Sequence, residues 1–376
     1  MRTKLLTKVV PVILAGKVNY LLRDVFTDTL TAGNVNGTDA NPGPGTRAVV
    51  DGSSVLSLTG GKLSMVGIND AQYNDPVYNL DAVTRAAGVM FKVTMDQPAH
   101  INYVSALGFW SAAPGASIND ARGVFFYTAG GVLRLRNSGE SPDCCVVAAS
   151  TTYEAAVILR SSGVFGLIKG GVYTEWTLYW VSNAQTTTPV YPGIGVHANT
   201  ITYTFDNVAV AQMATPWDSD DGIVTDSLAG SRAPGDTFTH EADCIIEFEV
   251  DALPTGGQIE VWFRIQDGTN YWCVTVDSAG NIDLDEVVAS GVTQRGTSAA
   301  CIANSDRIVI IADDEEIRVY EGANGENLRI TYSSAANFKT ETDGELDTEG
   351  TAGAVSAIKS WPRVLSGAAL SEVSKY

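Results

Sequence analysis

No Cys-x-x-Cys pair occurs in this chain, and its three histidines, His100, His197 and His240, are scattered. A structural zinc site draws its ligands from such short-range pairs, so zinc has no support. The cysteines (Cys144, Cys145, Cys244, Cys273 and Cys301) are odd in number. The adjacent Cys144 and Cys145 make a strained bridge, so no disulfide framework is expected. Basic residues are also scarce, 24 Lys and Arg against 43 Asp and Glu, for a formal net charge of −19. Binding to a phosphate backbone depends on Lys and Arg releasing counterions, which excludes nucleic acid as a direct partner. No apolar run is long enough to span a bilayer. The apolar stretch Val9 to Gly16 follows the basic Met1-Arg2-Thr3-Lys4 in the outline of a signal peptide. It is short, Lys8 breaks into it, and no clean Ala-x-Ala site follows, so it reads instead as an N-terminal arm. Phosphate loops, dinucleotide fingerprints and nucleophile elbows are missing too.

What the chain does have is glycine, 37 residues, and apolar side chains, 45% of its 376 residues. That length suits two domains, and abundant turns without a helix-forming tract predict an all-β chain. One order of elements is read twice. Val25 to Leu30 opens the first copy and Ile223 to Leu228 the second. An alternating strand follows in each, Gly88 to Val93 and Ile245 to Val250, then an aromatic strand, Ala106 to Trp110 and Ile259 to Ile265. Two hairpins, one further strand and a closing strand complete each copy, the closing strands being Thr204 to Val210 and Ala354 to Trp361. The seam falls at Met213 to Asp221, where Pro216 and an acidic cluster mark a linker. The expected organisation is an arm over residues 1–22, a first β-sandwich over 23–214 and a second over 215–376.

The start Phe26-Thr27-Asp28-Thr29-Leu30, the close Phe205-Asp206-Asn207-Val208-Ala209-Val210 and the tail from Trp361 to Val373 carry a resemblance. They resemble concanavalin-A-like, laminin-G-type jelly-roll domains. The resemblance implies two tandem antiparallel sandwiches of jelly-roll topology. That group includes lectins, adhesion modules, accessory domains of glycoside hydrolases and phage virion proteins, so it does not fix a function.

Candidate sites follow from chemistry. Some glycanases of the group carry E-x-D-x-x-E on one strand face. The nearest stretch here, Asn281-Ile282-Asp283-Leu284-Asp285-Glu286, has Asn in the first position, and alternation turns Glu286 away from Asp283. It reads as a solvated strand face or hairpin end. Glu247, Glu249 and Asp251 read as the solvent side of a half-buried strand, and the acidic run Glu341 to Glu349 as a solvated loop. Asp218, Asp220 and Asp221 resemble part of a calcium loop but lack its spacing and distal Glu, leaving Ca2+ as a weak candidate and no other cofactor. Sugars stack on exposed rings, and Trp110, Trp262 and Trp272 on predicted strands are the candidates for glycan contact; the competing reading of each is a core side chain. Trp217 and Trp361, near the domain edges, are candidates for packing the two domains together.

With no convincing catalytic set, the expected function is a non-enzymatic virion structural protein, a phage decoration, fibre or tail-associated protein. It would assemble with other virion proteins or its own copies through the arm and sandwich surfaces. The alternative is a secreted or cell-surface protein that binds host-surface glycan; a polysaccharide-degrading enzyme ranks last.

Overall fold

The computed structural model describes residues 20–374 except 32–33, 36, 42, 51–54, 68–76, 84–87, 99–103, 111–120, 128–130, 137–143, 161–162, 183–190, 198–200, 214–224, 324 and 352. Residues 1–19, including most of the expected arm, lie outside it, as do Trp217 and the calcium candidates Asp218, Asp220 and Asp221.

The first half contributes β1 Tyr20–Asp24, β2 Ala48–Val50, β3 Leu56–Thr59, β4 Lys62–Val66, β5 Val77–Asn79, β6 Val89–Asp96, β7 Val104–Trp110 and β8 Ala121–Tyr127. It continues with β9 Val132–Arg136, β10 Cys145–Val146, β11 Thr152–Arg160, β12 Gly163–Gly170, β13 Tyr173–Ser182, β14 Tyr191–His197 and β15 Thr202–Gln212. The second half contributes β16 Asp226–Ser231, β17 Asp236–Thr239, β18 Cys244–Ala252, β19 Gly256–Asp267, β20 Asn270–Asp277 and β21 Ile282–Val288. After these come β22 Gly291–Ser298, β23 Asp306–Asp313, β24 Glu316–Glu321, β25 Asn327–Tyr332, β26 Asp343–Thr351, β27 Ala354–Pro362 and the helix α1 Gly367–Ser374.

These strands form two antiparallel jelly-roll sandwiches. The first pairs a sheet ordered β13-β12-β11-β6-β15-β4-β3, with β1 added on β15, against a sheet ordered β10-β9-β8-β7-β14-β5-β2. The second repeats the plan with β25-β24-β23-β18-β27-β16 and β22-β21-β20-β19-β26-β17. The repeated order of elements is thus a repeated sheet topology. Tyr20 to Leu22, expected in the arm, belong to β1 and pair with β15.

The correspondence extends to irregularities. In β15 two residues oppose one of β6 between the pairs Asp206↔Thr94 and Ala209↔Lys92. In β27 the same bulge opposes β18 between Ser356↔Glu249 and Lys359↔Glu247. The bulges hold Asn207 at φ 52° and Ala357 at φ 50°. An ion pair recurs beside them with its signs exchanged. Lys92 bonds Glu154 at 2.9 Å in the first sandwich, and Glu247 bonds Arg307 at the matching place in the second.

Alternation places the cores. Phe91 and Phe109 meet edge to face across the first sandwich, 5.9 Å between centroids. Ile246, Phe248 and Val250 of β18 share the second core with Ile259, Val261 and Phe263 of β19. Each such fully buried side chain stabilises the fold by about 1.5–3 kcal/mol. The run Ile308-Val309-Ile310-Ile311 in β23 does not alternate, because both of its faces are covered. Ile308 and Ile310 enter the second core, while Val309 and Ile311 join Ile245, Tyr320 and Trp361 in one apolar cluster with Trp176 and Trp180 of β13. The sandwiches therefore stack through equivalent sheets, with Trp180 and Tyr320 edge to face at 4.9 Å. Trp361, fully buried, sits in this joint.

The exposed edge of β13 is closed by the second half. Arg363 and Leu365 exchange backbone hydrogen bonds with Leu178 and Trp176. Side chains of Arg363 and Arg307 donate to the carbonyls of Leu178 and Val181. An edge strand capped this way is no longer a template for another chain. The expectation for Glu247 needs correction on the same ground. It is 7% exposed, because its face of β18 meets the first sandwich rather than solvent, and Arg307 neutralises it there. The run from Glu341 is corrected too. From Asp343 onward it is β26, hydrogen-bonded between β17 and β19.

Candidate functional site

The stacked sheets leave β17-β26-β19-β20-β21-β22 with one face in the second core and the other outward. Period two assigns side chains to that outer face: Ile259, Val261 and Phe263 point inward, so Gln258, Glu260 and Trp262 point out. On β20, Trp272, Val274 and Val276 are core, which turns Tyr271, Cys273 and Thr275 outward. On β21, Ile282 and Leu284 are core and Asp283 and Asp285 face out. Register then brings distant residues into rows. Asp347, Glu260, Thr275 and Asp283 lie side by side across four strands, and Glu345, Trp262, Cys273 and Asp285 form the next row.

The small side chains of Cys273 and Thr275 leave the middle strand low, and a cleft of about 410 Å³ opens over it. One wall is Trp262, stacked on Tyr271 at 4.1 Å and 17°. Glu260 fixes that ring by accepting 2.7 Å hydrogen bonds from Trp262 Nε1 and from Gln258 Nε2. The opposite wall is Asp285, with Asp283 beside it. The Oδ1 of Asp283 is buried and without a hydrogen-bond partner among the described residues.

The field in the cleft is negative. Burial, then Asp283 and Glu260, push the Asp285 carboxyl up to about 6. Burial and the neighbouring carboxylates hold the Cys273 thiol well above its ordinary range. Burial, followed by Cys273 and Glu260, pushes Tyr271 up to about 12. A carboxyl that titrates near neutrality exchanges protons readily, and its neighbours are strong acceptors. Trp262 and Asp285 lie in one row two strands apart, about 9.5 Å between backbones. That separation leaves room for a bound group between them.

Of the three expected glycan-contacting rings, only Trp262 reaches this cleft. Trp110 is 1% exposed and Trp272 fully buried, its Nε1 donating to the Asn337 carbonyl. That corrects the expectation for both, since a sealed ring has no face to offer a sugar. Glu286 does turn away from Asp283, and is buried beneath Arg295 and Asn337, whose side chains donate to it. Asp283 and Asp285, expected on a freely solvated face, are half-buried instead, and Asp285 lines the cleft. Sequence reasoning missed Glu260 and Asp347. The available signal was Trp262, a large ring in phase with Gln258 and Glu260 on the polar side of β19. Among the described residues, no group of three or more His, Cys, Asp and Glu is placed to hold a metal ion. No helix among them is long and apolar enough to cross a membrane.

No family model matches the chain, and no curated protein matches it in sequence. Solved structures do share parts of its fold. A galectin, LEC-6 of Caenorhabditis elegans, is 6% identical over 36% of this chain and 94% of its own, at a TM-score of 0.30. The carbohydrate binding module CBM66 of Bacillus subtilis is 12% identical over 38% of this chain and 91% of its own, at a TM-score of 0.25. An exo-inulinase of Aspergillus awamori is 12% identical over 82% of this chain and 68% of its own, at a TM-score of 0.31. Likeness at this level assigns no activity. It does correct the expectation that the chain is not an enzyme. Glycosidases, the exo-inulinase among them, stand beside a galectin and a binding module in this set, so that expectation is not retained.

Proposed function

We propose that this chain is a glycan-binding protein whose contact surface is the cleft between Trp262 and Asp285. The observation that carries the reading is the Trp262–Tyr271 stack, a rigid aromatic platform at the wall of a cleft whose opposite wall is carboxylate. Sugar rings present an apolar C–H face and a rim of hydroxyls. The platform suits the face and the carboxylates accept from the hydroxyls, with charge-assisted hydrogen bonds stronger than neutral ones. The Glu260 bonds lock Trp262 before any ligand arrives, which lowers the ordering cost of binding.

A glycan array followed by titration calorimetry tests this. Trp262→Ala is expected to weaken binding by about tenfold or more, which is about 1.4 kcal/mol, with the melting temperature nearly unchanged. Unaltered affinity in that variant overturns the reading. The narrower virion reading rests on the arm, the tandem sandwiches and the want of a catalytic set; residues 1–19 lie outside the described structure, and the cleft supplies no support for it.

A further inference from the structure

Resting on the glycan-binding reading, we infer that the cleft takes an amine-bearing, cationic saccharide in preference to a neutral or anionic one. The argument begins with what lines the cleft. Glu260, Asp285 and Asp347 contribute to its walls, and neither Lys, Arg nor His is among its described lining residues. Asp283 adds a fourth carboxylate beside Asp285 on the same strand face. An anionic sugar would meet carboxylates with no cation to offset them, and like charges brought together out of water cost several-fold in affinity.

A second, independent observation concerns unmet hydrogen-bonding capacity. Thr275, 5% exposed, forms the cleft floor. The Oδ1 of Asp283, directly across the ladder from it, is buried and without a hydrogen-bond partner among the described residues. Buried polar groups are rarely left without partners, so an orphaned acceptor next to the cleft floor marks a place for a ligand that supplies donors. An ammonium group supplies three. A third observation is the ring pair. The indole of Trp262 donates its N–H to Glu260, and a cation over the face of such a ring gains attraction from the π-system. The sugar ring and its charge thus find complementary surfaces on opposite sides of one low strand.

The test compares three oligosaccharides of equal length by calorimetry: glucosamine oligomers, their N-acetylated counterparts and galacturonate oligomers. The glucosamine oligomer is expected to bind about tenfold tighter than the N-acetylated one, with the preference shrinking as salt screens the charges. Galacturonate is expected to give no measurable binding. The double variant Asp285→Asn, Asp347→Asn should bring the ratio of the first two affinities to about one. Its melting curve verifies that it is folded. Equal affinities in the wild type, a preference for galacturonate, or a preference that survives the double substitution overturns the inference while leaving glycan binding in place. Binding of none of the three by a folded protein, together with a silent glycan array, overturns both.

Discussion

A carboxylate half-buried beside two others resists ionisation, and Asp285 is in that position. Its folded pKa of about 6 lies above the ordinary 3.8. Protons therefore bind the folded chain more readily than the unfolded one between those values. The cost of the Asp285 charge is complete above about pH 6, and it is relieved as pH falls from 6 toward 3.8. Asp285→Asn should accordingly stabilise the protein above pH 6, by about 1 kcal/mol after allowance for solvent screening, and make no difference below pH 3.8. Urea melts across that range read the effect directly, and a destabilised variant at neutral pH contradicts the account. Glu247 illustrates the opposite arrangement. It is buried too, but it has Arg307, whose guanidinium also reaches the Val181 carbonyl. A buried charge is tolerable when its partner is buried with it, and removing either member leaves the other stranded.

At the scale of elements, the paired bulges of β15 and β27 invite comparison. Both hold a residue in the left-handed region, Asn207 in one copy and Ala357 in the other. Asn tolerates that region, whereas a Cβ-bearing apolar residue there is strained by about 1–2 kcal/mol. Glycine would relieve the strain and return about 0.5–1 kcal/mol of it as lost chain entropy. Ala357→Gly should therefore stabilise the second sandwich by about 0.5 kcal/mol, and Ala357→Val should destabilise it by more than that. Denaturant midpoints for the two variants give the signs. A stabilising Val would show that the bulge is not strained. Alternation in β6, β18 and β19 made these strands legible from sequence, as did the glycine turns of the hairpins. The acidic run that became β26 was not legible, because charges on every second residue look like a solvated loop until the intervening Gly344 and Leu346 are seen in the core.

At the scale of the whole molecule, the decisive feature is the stack of equivalent sheets. Trp176 and Trp180 from one sandwich and Ile245, Val309, Ile311, Tyr320 and Trp361 from the other form one apolar cluster. Helix α1 returns Val373 to the same cluster. Two domains joined by such a face share their stability, so the wild type should melt in a single calorimetric transition. Tyr320→Ala removes the ring that meets Trp180, a truncation costing about 3–5 kcal/mol at a buried aromatic site. The variant should resolve into two transitions. Two transitions already present in the wild type would show that the sandwiches melt independently.

The sequence by itself determined the repeated order of elements and, where polar and apolar residues alternate as in β18 and β19, the parity of the strand, because period-two alternation and turn chemistry are local. It did not determine what covers each face. Ile246 and Glu247 alternate just as Ile259 and Glu260 do, yet one glutamate is sealed against another sandwich and the other fixes the ring of a solvent cleft. That distinction depends on how whole sheets stack. The rows that bring Asp347 beside Glu260 and Asp283 beside Thr275 depend on register between strands remote in the chain. Alternation carries no information about such pairing, so the candidate site emerged only in the folded molecule.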